Sequence, residues 1–344
     1  MEVLEGAWHT VPVMSAPTAS HVTLPAESAT HAGCWMAWPY RDDEWPDLAA
    51  AQAEHLALVR AIAETETVDL LVHPDVDPPE GLGEGVVLHR LAYGDAWTRD
   101  SLPVMAESNG DPMALVFDFD GWGGKYPMEG DLDLAPRVAD AFGLRSRRFD
   151  FVFEGGGIEV DGEGTVLTTD PWLRRLAERS ERSVDAVKAQ IREALGASAL
   201  LSVEAMLAND HTDGHVDTLV RFVGPGAVVT MGLTPSDPNG ATLMALQEQL
   251  MSLTDGAGRT LQVHTIPSPG MVRSSSGELL PASYANYYLA NGQVLVPTYG
   301  VPTDEMAVAQ LALLFPERRV RGLSARAILE GGGAFHCITQ QRPA

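Results

Sequence analysis

The chain has 344 residues, of which 45% are hydrophobic and 20% are charged, as is typical of a globular protein with a substantial core. Its formal net charge is −24, so its surface repels the phosphates of nucleic acids and anionic membranes. These two classes of partner are therefore excluded, and small cations are weakly favoured.

The start of the chain and its cysteine content predict a cytoplasmic location. Residues 1–10 contain two glutamates and no lysine or arginine, which is unlike a secretory signal. No apolar run is long enough to cross a bilayer. Cys34 and Cys337 are the two cysteines, and we expect both to be free thiols. A single cystine between them is the alternative.

The hydrophobic pattern predicts alternating strands and helices. Residues 1–23 lack periodicity and predict a loose arm, whereas residues 24–344 predict a single domain, because no flexible linker divides them. Strands are predicted at residues 33–38, 68–72, 115–119, 164–169, 261–266, 294–297 and 328–329. Helices are predicted at residues 48–65, 173–195 and 241–250. This alternation predicts the α/β class.

Two segments of the sequence resemble each other. Residues 153–158 and 329–334 each have an apolar residue, a glutamate, three glycines and a further apolar residue. This similarity favours α/β units repeated around an axis, which would bring distant segments to one centre. A doubly wound open sheet is the alternative, although neither glycine run has the spacing of a dinucleotide-binding loop.

Cys337 is the candidate nucleophile. It follows three glycines, whose backbone can turn sharply and allow a ligand to approach closely. A cysteine attacks carbon as the thiolate, and a neighbouring imidazolium or a cationic substrate lowers the pKa of the thiol. Cys34 lies in an apolar strand between Gly33 and Trp35, so we expect it in the core.

His215 is the candidate proton carrier, because it lies between Asp213 and Asp217. In an extended segment these three side chains would point to one face and place an imidazole between two carboxylates. A zinc or iron site completed by Cys337 or His336 is the alternative reading of the same residues. We expect no metal, because the sequence has no second ligand motif.

Trp97 and Asp100 are candidates for binding a planar cation. An indole face and a carboxylate three residues away form a suitable guanidinium clamp. The surplus of carboxylates around the candidate nucleophile also points to a cationic reacting group. A structural ion pair between Arg99 and Asp100 is the alternative.

Three further residues complete the candidate site. Glu154 is expected to hold His215 by a hydrogen bond, which orients the ring and raises its proton affinity. Trp122 lies in a glycine-rich segment that either lines a pocket or forms a tight turn. Asn286 is a polar residue within an aromatic segment and is a candidate for steering the substrate.

These motifs together resemble the agmatine deiminase family, which includes the bacterial type of peptidylarginine deiminase and belongs to the guanidine-modifying pentein superfamily. The segments that carry the resemblance are 25–27, 35–39, 95–100, 121–126, 154–156, 212–217, 283–292 and 331–341. The resemblance implies a five-bladed, pseudo-symmetric α/β propeller with the active site on its central axis. It also implies that neither a metal nor an organic cofactor is needed.

The resemblance implies a hydrolase that converts a guanidinium group to a ureido group and releases ammonia. Cys337 corresponds to the nucleophile, His215 to the general acid and base, and Glu154 to the partner of His215. Asp100 and Asp217 correspond to guanidinium ligands. Trp97 and Asn286 lie where members of the family contact substrate, and we add Asp213 and Trp122 as candidate contacts from their neighbourhood.

Several positions depart from the common family pattern: Gly94, residues 28–30, Asp120 and Ala334. The altered residues surround the expected substrate tail, whereas the reacting residues are intact. Agmatine is the leading substrate, and its product, N-carbamoylputrescine, would serve putrescine synthesis. A C-terminal peptidyl-arginine, free arginine or another guanidino compound is the alternative substrate. Amidino transfer to an amine and a non-catalytic guanidinium binder are the alternative functions, and a homo-oligomer is compatible with each.

Overall fold

In this computed structural model, strands and helices alternate along residues 22–344, which are the residues that it describes. The strands are β1 Val22–Thr23, β2 His31–Ala37, β3 Val68–Val72, β4 Val86–Arg90, β5 Val104–Ser108, β6 Asp111–Asp118, β7 Ser146–Val152, β8 Glu159–Val160, β9 Thr165–Thr169, β10 Ala199–Val203, β11 Val220–Gly224, β12 Ala227–Met231, β13 Gln262–Ile266, β14 Tyr288–Ala290, β15 Gln293–Thr298, β16 Arg319–Ser324 and β17 Gln340–Pro343. The helices are α1 Leu48–Ala63, α2 Thr98–Ser101, α3 Gly121–Gly124, α4 Leu134–Ala141, α5 Asp170–Ser180, α6 Val184–Ala194, α7 Gly240–Ser252, α8 Asp304–Leu314 and α9 Arg326–Glu330. The predicted α/β class is confirmed.

The strands of the described residues form five sheets that share one plan. Their strand orders are β1-β5-β6-β7, β10-β9-β8, β11-β12-β13, β14-β15-β16 and β17-β2-β3-β4. Every sheet contains an antiparallel pair next to a parallel pair. In each sheet at least one pair of parallel neighbours is connected through a helix, as is usual for such a crossover: α1, α3 with α4, α5 with α6, α7, and α8. The topology is therefore a strand and helix unit that recurs along the chain.

Strand β17, near the C-terminus, lies in the same sheet as β2, near the start of the described residues. In β17, Gln340 pairs with Trp35 and Gln341 pairs with Cys34 of β2, in antiparallel register. Trp35 and Cys34 are fully buried, so the C-terminal strand covers part of the core. This pairing fixes the position of Cys337, which lies three residues before β17.

Most predicted elements are present, but the predicted helix over residues 173–195 is wrong, because the structure has two helices there. Glu181 has a left-handed backbone with φ of 53° and ends α5. The hydroxyl of Ser183 then accepts a hydrogen bond from the backbone N–H of Ala186 and starts α6. These local capping groups interrupt an otherwise continuous helical pattern.

The predicted strand at residues 328–329 is also wrong, because Ile328 and Leu329 lie in α9. The carboxylate of Glu54, in α1, accepts backbone hydrogen bonds from Arg326, Ala327 and Ile328 at 2.8–3.0 Å. Glu54 therefore caps the start of α9 from a distant segment, and a short apolar run cannot reveal such a cap.

The predicted N-terminal arm lies mostly outside the described residues. Of residues 1–23, the structure describes Val22 and Thr23, which pair with Ser108 and Glu107 of β5. The single domain over residues 24–344 stays a prediction. Between residues 22 and 344, no helix combines the length and the apolar character that crossing a membrane would require.

His55 gives the fold a testable dependence on pH. It is fully buried in α1 and contacts Trp38 edge-on, with ring centroids 5.4 Å apart. Burial lowers the pKa of His55 from 6.5 to about 3, so the folded state keeps the ring neutral where the unfolded chain binds a proton. Its contribution to stability is complete above pH 6.5 and falls below it by about 1.4 kcal/mol per pH unit. Urea unfolding of the native protein between pH 4.5 and 7.5 measures this slope.

A His55→Phe variant is the control, because phenylalanine retains the aromatic contact and cannot titrate. We expect its free energy of unfolding to depend less steeply on pH below 6.5 than that of the native protein. Equal slopes for the two proteins would contradict the assignment.

Candidate active site

Cys337 lies in a tight turn between α9 and β17, and its side chain is buried. A Cβ atom on Gly333 would lie 3.0 Å from the Sγ of Cys337 and 2.7 Å from the Cζ3 of Trp97. Glycine is therefore required at this position, because any side chain would displace the thiol or the indole. The glycine run brings backbone, thiol and indole into contact.

The thiol of Cys337 contacts one amide and one carboxylate. The Nδ2 of Asn286 donates to Sγ at 3.3 Å, and the Oδ2 of Asp217 lies 3.7 Å from Sγ. Burial, together with the negative charges of Asp217 and Asp100, raises the pKa of the Cys337 thiol well above its usual value. The free protein therefore holds Cys337 as a neutral thiol at pH 7.

His215 is fully buried and has one occupied ring nitrogen. Its Nε2 lies 3.0 Å from the Oε2 of Glu154, and its Nδ1 has no hydrogen-bond partner among the described residues. The Nδ1 lies 3.7 Å from the Oδ2 of Asp100. Burial opposes a charge here, but the charge of Asp100 and the bond to Glu154 outweigh it and raise the pKa of His215 to about 9.

Glu154 holds the ring of His215 in place. Its Oε2 also accepts from the indole of Trp172 at 2.6 Å and from Arg175. Burial raises the pKa of Glu154, but the hydrogen bond with His215 and the charge of Arg175 outweigh it, so the pKa lies below its usual value. An ionised Glu154 leaves Nδ1 as the nitrogen of His215 that is available for proton transfer.

Asp100 is oriented by two donors. The backbone N–H of Gly156 donates to its Oδ1 at 2.8 Å, and the indole of Trp122 donates to its Oδ2 at 2.9 Å. Burial nevertheless raises the pKa of Asp100 above its usual value. The carboxylate is therefore fixed in place, and the nearby charge of His215 offsets only part of the cost of its burial.

Asp217 lies in a single 3₁₀ turn, Val216–Thr218, and is fully buried. Its Oδ2 accepts from the Nδ1 of His336 at 2.7 Å, and its Oδ1 has no partner among the described residues. Burial raises the pKa of Asp217, but the hydrogen bond with His336 outweighs it, and the pKa is lowered. One oxygen of an ionised carboxylate is thus held and the other is free.

Gly156 lies next to the side chains of His215, Asp100 and Asp217. A Cβ atom there would lie 2.6 Å from the Nδ1 of His215 and 3.1 Å from both the Oδ1 of Asp100 and the Oδ2 of Asp217. The glycine run at residues 155–157 therefore leaves open the space between an imidazole and two carboxylates. Residues from distant segments surround this space, as a common reaction centre requires.

An open cavity leads to Cys337 and has an aromatic side and an acidic side. Trp97 stacks on Trp45 with ring centroids 5.3 Å apart, and both indoles donate to Asp95, at 2.8 Å and 3.0 Å. Glu44 and Glu330 also line the cavity. Its full lining is Glu44, Asp95, Trp97, Asp100, Trp122, Tyr126, Met128, His211, Thr212, Glu330, Gly331, Gly332 and Cys337.

The extended segment expected around His215 is absent. Asp213 has a left-handed backbone with φ of 60°, and a 3₁₀ turn follows at residues 216–218, so the strand-like alternation of side chains is lost. The half-exposed carboxylate of Asp213 accepts from Lys125 at 2.8 Å and does not line the cavity. The expected common face is wrong for Asp213, although His215 and Asp217 remain close together. The role of Asp213 as a substrate contact stays a prediction.

The expected alternatives for other residues are also resolved by their contacts. Arg99 does not pair with Asp100, because its guanidinium donates to the carbonyl of His336 at 3.2 Å and to the side chain of Gln341 at 2.6 Å. Trp122 combines both readings of its segment, since it has a turn conformation with φ of 54° and lines the cavity. Among the described residues, no group of three metal-ligating side chains has the geometry of a metal site.

Several residues of the site were not predicted from the sequence. Glu44 lines the cavity but lies outside every motif. Glu330 belongs to the repeated segment 329–334, but that pattern gave no signal that its side chain lines a cavity. His336 had a signal, because it is adjacent to the candidate nucleophile, but it was considered as a metal ligand alone. The structure places both of its nitrogens against carboxylates.

Comparisons with known proteins agree with this geometry. Residues 23–343 match the family described as Porphyromonas-type peptidyl-arginine deiminase. The chain is 35% identical to the agmatine deiminase of Stutzerimonas stutzeri (strain A1501) over 364 aligned positions, which cover 96% of this chain and 98% of the relative. The solved agmatine deiminase of Enterococcus faecalis has a TM-score of 0.87 and 27% identity, and the match covers 95% of this chain and 98% of that one. DDAH from Pseudomonas aeruginosa shares the fold alone, with a TM-score of 0.52, 14% identity and coverage of 91% and 99%.

Proposed function

Because the chain belongs to the Porphyromonas-type peptidyl-arginine deiminase family, we propose that it hydrolyses agmatine to N-carbamoylputrescine and ammonia. It is a hydrolase of carbon–nitrogen bonds in linear amidines. The observation that carries the proposal is a buried thiol 3.7 Å from the carboxylate of Asp217, at a site where the Oδ1 of Asp217 and the Nδ1 of His215 both lack partners among the described residues. A planar guanidinium supplies donors to the carboxylate and a carbon to the thiol.

Asp100 and Asp217 bind the guanidinium in this proposal. Two fixed carboxylates on either side of a planar cation form paired, charge-assisted hydrogen bonds and hold its central carbon near Cys337. The free Oδ1 of Asp217 and the fixed orientation of Asp100 support this assignment. Trp97 packs against the substrate, and Asn286 keeps the thiol in position by its 3.3 Å contact.

Substrate binding activates the thiol. The negative charges of Asp217 and Asp100 disfavour the thiolate in the free protein, and a bound cation between them offsets this effect. The thiol gives up its proton to solvent, because His215 is already protonated, and the thiolate then attacks the guanidinium carbon and forms a carbon–sulfur bond. His215 gives its Nδ1 proton to the leaving nitrogen, and ammonia departs from an S-alkylthiouronium intermediate.

The second half of the reaction regenerates the enzyme. Neutral His215 takes a proton from water, whose oxygen attacks the thiouronium carbon. The resulting adduct collapses: the carbon–sulfur bond breaks with its electron pair on the sulfur, and the proton lost from the hydroxyl of the adduct restores the thiol of Cys337. The product carries a ureido group in place of the guanidinium, and no metal or organic cofactor takes part.

The proposal extends to the arrangement of the five sheets. We place them as blades around a central axis, with the reaction centre on that axis. The recurrence of one strand plan in every described sheet supports this arrangement, as does the pairing of β17 with β2. A ring of such units accounts for the meeting of Asp100, Glu154, His215 and Cys337, which come from four separate segments.

The lining of the cavity supports agmatine over arginine. Glu44 and Glu330 line it, whereas none of the residues that line it is a lysine or an arginine. Their arginine partners, Arg41 at 3.5 Å and Arg326 at 3.3 Å, lie outside the lining. Agmatine ends in an ammonium, which these carboxylates attract, and arginine carries an α-carboxylate, which they repel. A C-terminal peptidyl-arginine is the second candidate because of the name of the matched family, but it bears the same unfavourable carboxylate.

The direct test measures ammonia and ureido product from agmatine, free arginine and a short peptide ending in arginine. We expect agmatine to have the highest kcat/KM. A preference for either carboxylate-bearing substrate would overturn the assignment of the tail. Ammonia from none of the three would overturn the proposed function and direct the search to other guanidines, amidino transfer to an amine, or a binding role.

Neutralising the acidic side of the cavity should reduce the preference for agmatine. In Glu44→Gln and Glu330→Gln, we expect the KM for agmatine to rise by about fivefold each, because each charge contributes up to about 1 kcal/mol at a partly exposed site. The KM for arginine should fall or stay unchanged. Glu317→Gln is the matched control, since Glu317 is exposed and does not line the cavity. Parallel changes for both substrates would contradict a role in charge selection.

The location of the enzyme is part of the same proposal. Both cysteines are free thiols in the structure, and the proposed reaction requires Cys337 to stay reduced. We therefore place the enzyme in the cytoplasm. Immunodetection after cell fractionation tests this location, and recovery in a secreted fraction would contradict it.

A further inference from the structure

His336 lies directly before Cys337 and is enclosed by two carboxylates. Its Nδ1 is 2.7 Å from the Oδ2 of Asp217, and its Nε2 is 2.8 Å from the Oε2 of Glu27. The ring is buried, so water does not compete for either nitrogen. Each of these contacts needs a hydrogen between nitrogen and oxygen, and both are short enough to be strong.

We propose that His336 is a positioning residue that holds the Oδ2 of Asp217 and thereby fixes the orientation in which this carboxylate receives the substrate guanidinium. The inference rests on the proposed function, because that function makes Asp217 a guanidinium ligand. A carboxylate attached by a single rotatable bond keeps one orientation when a donor occupies one of its oxygens. The Oδ1 of Asp217 remains without a partner, as this role requires.

His336 itself is held on its far side by Glu27. The Oε1 of Glu27 accepts from the backbone N–H of Leu289 at 2.7 Å, and its Oε2 accepts from Arg221 as well as facing His336. Arg221 is fully buried, and its Nε lies 3.1 Å from Glu159. This chain of buried charges prevents Glu27 from following His336 if the ring moves.

Two further contacts restrict His336 from the main chain. The Oδ1 of Asn286 accepts from the backbone N–H of His336 at 3.1 Å, while the Nδ2 of the same amide contacts the thiol of Cys337. Arg99 donates to the carbonyl oxygen of His336 at 3.2 Å, and its Nη2 lies 4.0 Å from Glu27. The nucleophile and the positioning residue therefore share one rigid turn.

The hydrogen bond between His336 and Asp217 also changes the electrostatic environment of the Cys337 thiol. The same Oδ2 of Asp217 that His336 holds lies 3.7 Å from the Sγ of Cys337. A donor on this oxygen withdraws negative charge from the neighbourhood of the sulfur, so its removal disfavours the thiolate. The charge of Asp100 also acts on the sulfur, and Asp100 has no hydrogen bond with His336.

Two amide variants separate the two nitrogens of His336. In His336→Asn the amide nitrogen replaces Nδ1 and retains a donor for Asp217, whereas in His336→Gln it reaches the place of Nε2 and retains a donor for Glu27. We expect His336→Gln to lower kcat/KM for agmatine by about 10²-fold, because Asp217 is no longer directed. The loss in His336→Asn should be clearly smaller. Equal losses in the two variants, in proportion to their losses in melting temperature, would overturn the proposal and leave a structural role alone.

A measurement without substrate separates this proposal from the proposed function. The rate of alkylation of Cys337 by iodoacetamide is measured at pH 8 in a Cys34→Ala background, for His336→Gln, Asp217→Asn and the double variant. We expect His336→Gln to slow alkylation when Asp217 is present and to have no further effect in Asp217→Asn, which is the pattern of two coupled residues. Additive effects would overturn the positioning role. The cycle stays decisive even if the native protein releases no ammonia from any guanidine tested.

Discussion

Replacing Cys337 with alanine is expected to lower the turnover of agmatine by about 10⁶-fold, which is the usual cost of deleting a nucleophile and falls below the limit of an ammonia assay. The proposed reaction forms a carbon–sulfur bond, and no neighbouring side chain replaces it. Asn286 and Asp217 contact the sulfur, but an amide and an engaged carboxylate are poor nucleophiles at this position. Binding should persist, because the proposed guanidinium ligands Asp100 and Asp217 are unchanged.

The matched control deletes the other thiol. Cys34 is fully buried in β2, away from the cavity, and burial raises the pKa of its thiol far above the usual value. We expect Cys34→Ala to retain kcat within about threefold and to unfold more easily, by about 1 kcal/mol for the removed atom. Circular dichroism and thermal unfolding establish that both variants are folded. Substantial turnover by folded Cys337→Ala would refute covalent catalysis by this residue.

The parts of the fold that the sequence predicted are those with a local cause. The strand at residues 68–72 is fully buried and mostly β-branched or aliphatic, so its pattern identified it without ambiguity. The helix at residues 48–63 starts where the carboxylate of Asp47 accepts from the backbone N–H of Ala50, as a capping residue does. Such signals lie within a few residues of the element that they control.

The parts that were missed depend on distant residues or on single backbone angles. Helix α9 is capped by Glu54, which is 272 residues away from Arg326. The turn at Asp213 depends on a left-handed φ of 60°, which an Asp-Gly sequence permits but does not require.

In the candidate site, too, local patterns were predicted from the sequence and contacts between distant residues were not. The motifs and the resemblance to a known family both identified Cys337, His215 and Glu154, and the structure brings His215 and Glu154 to 3.0 Å. The contacts of His336 could not be predicted from the sequence, because they involve Glu27 and Asp217, which are 309 and 119 residues away. Neither carboxylate has a local signal that points to a histidine so far along the chain. A role for His336 therefore follows from the tertiary structure alone.

Replacing His215 with glutamine is expected to lower kcat for agmatine by up to about 10⁴-fold, because one imidazole serves both proton transfers of the proposed reaction. The protonated form of His215 is the one that releases ammonia, and its pKa is about 9. The kcat/KM of the native enzyme should therefore decline as the pH rises through 9, where the proton on Nδ1 is lost.

Glu154→Gln tests the origin of that alkaline limb. The charge of Asp100 and the hydrogen bond and charge of Glu154 raise the pKa of His215 against the effect of burial. Removing the charge of Glu154 lowers the pKa of His215, so the alkaline limb of kcat/KM should move to lower pH. Glu204→Gln is the matched control, because the exposed Glu204 pairs with Arg174 at the surface, as Glu154 pairs with Arg175 inside.

The position of the limb distinguishes a change in proton affinity from a loss of structure. A folded Glu154→Gln variant with lower activity and an unmoved alkaline limb would contradict the assignment of that limb to His215. A limb that moves in Glu154→Gln and is absent from the residual activity of His215→Gln would tie the pH dependence to the imidazole. Because Glu154 contacts His215 and does not line the cavity, its most direct effect on the profile passes through the ring, and its charge also acts on the carboxylate of Asp100.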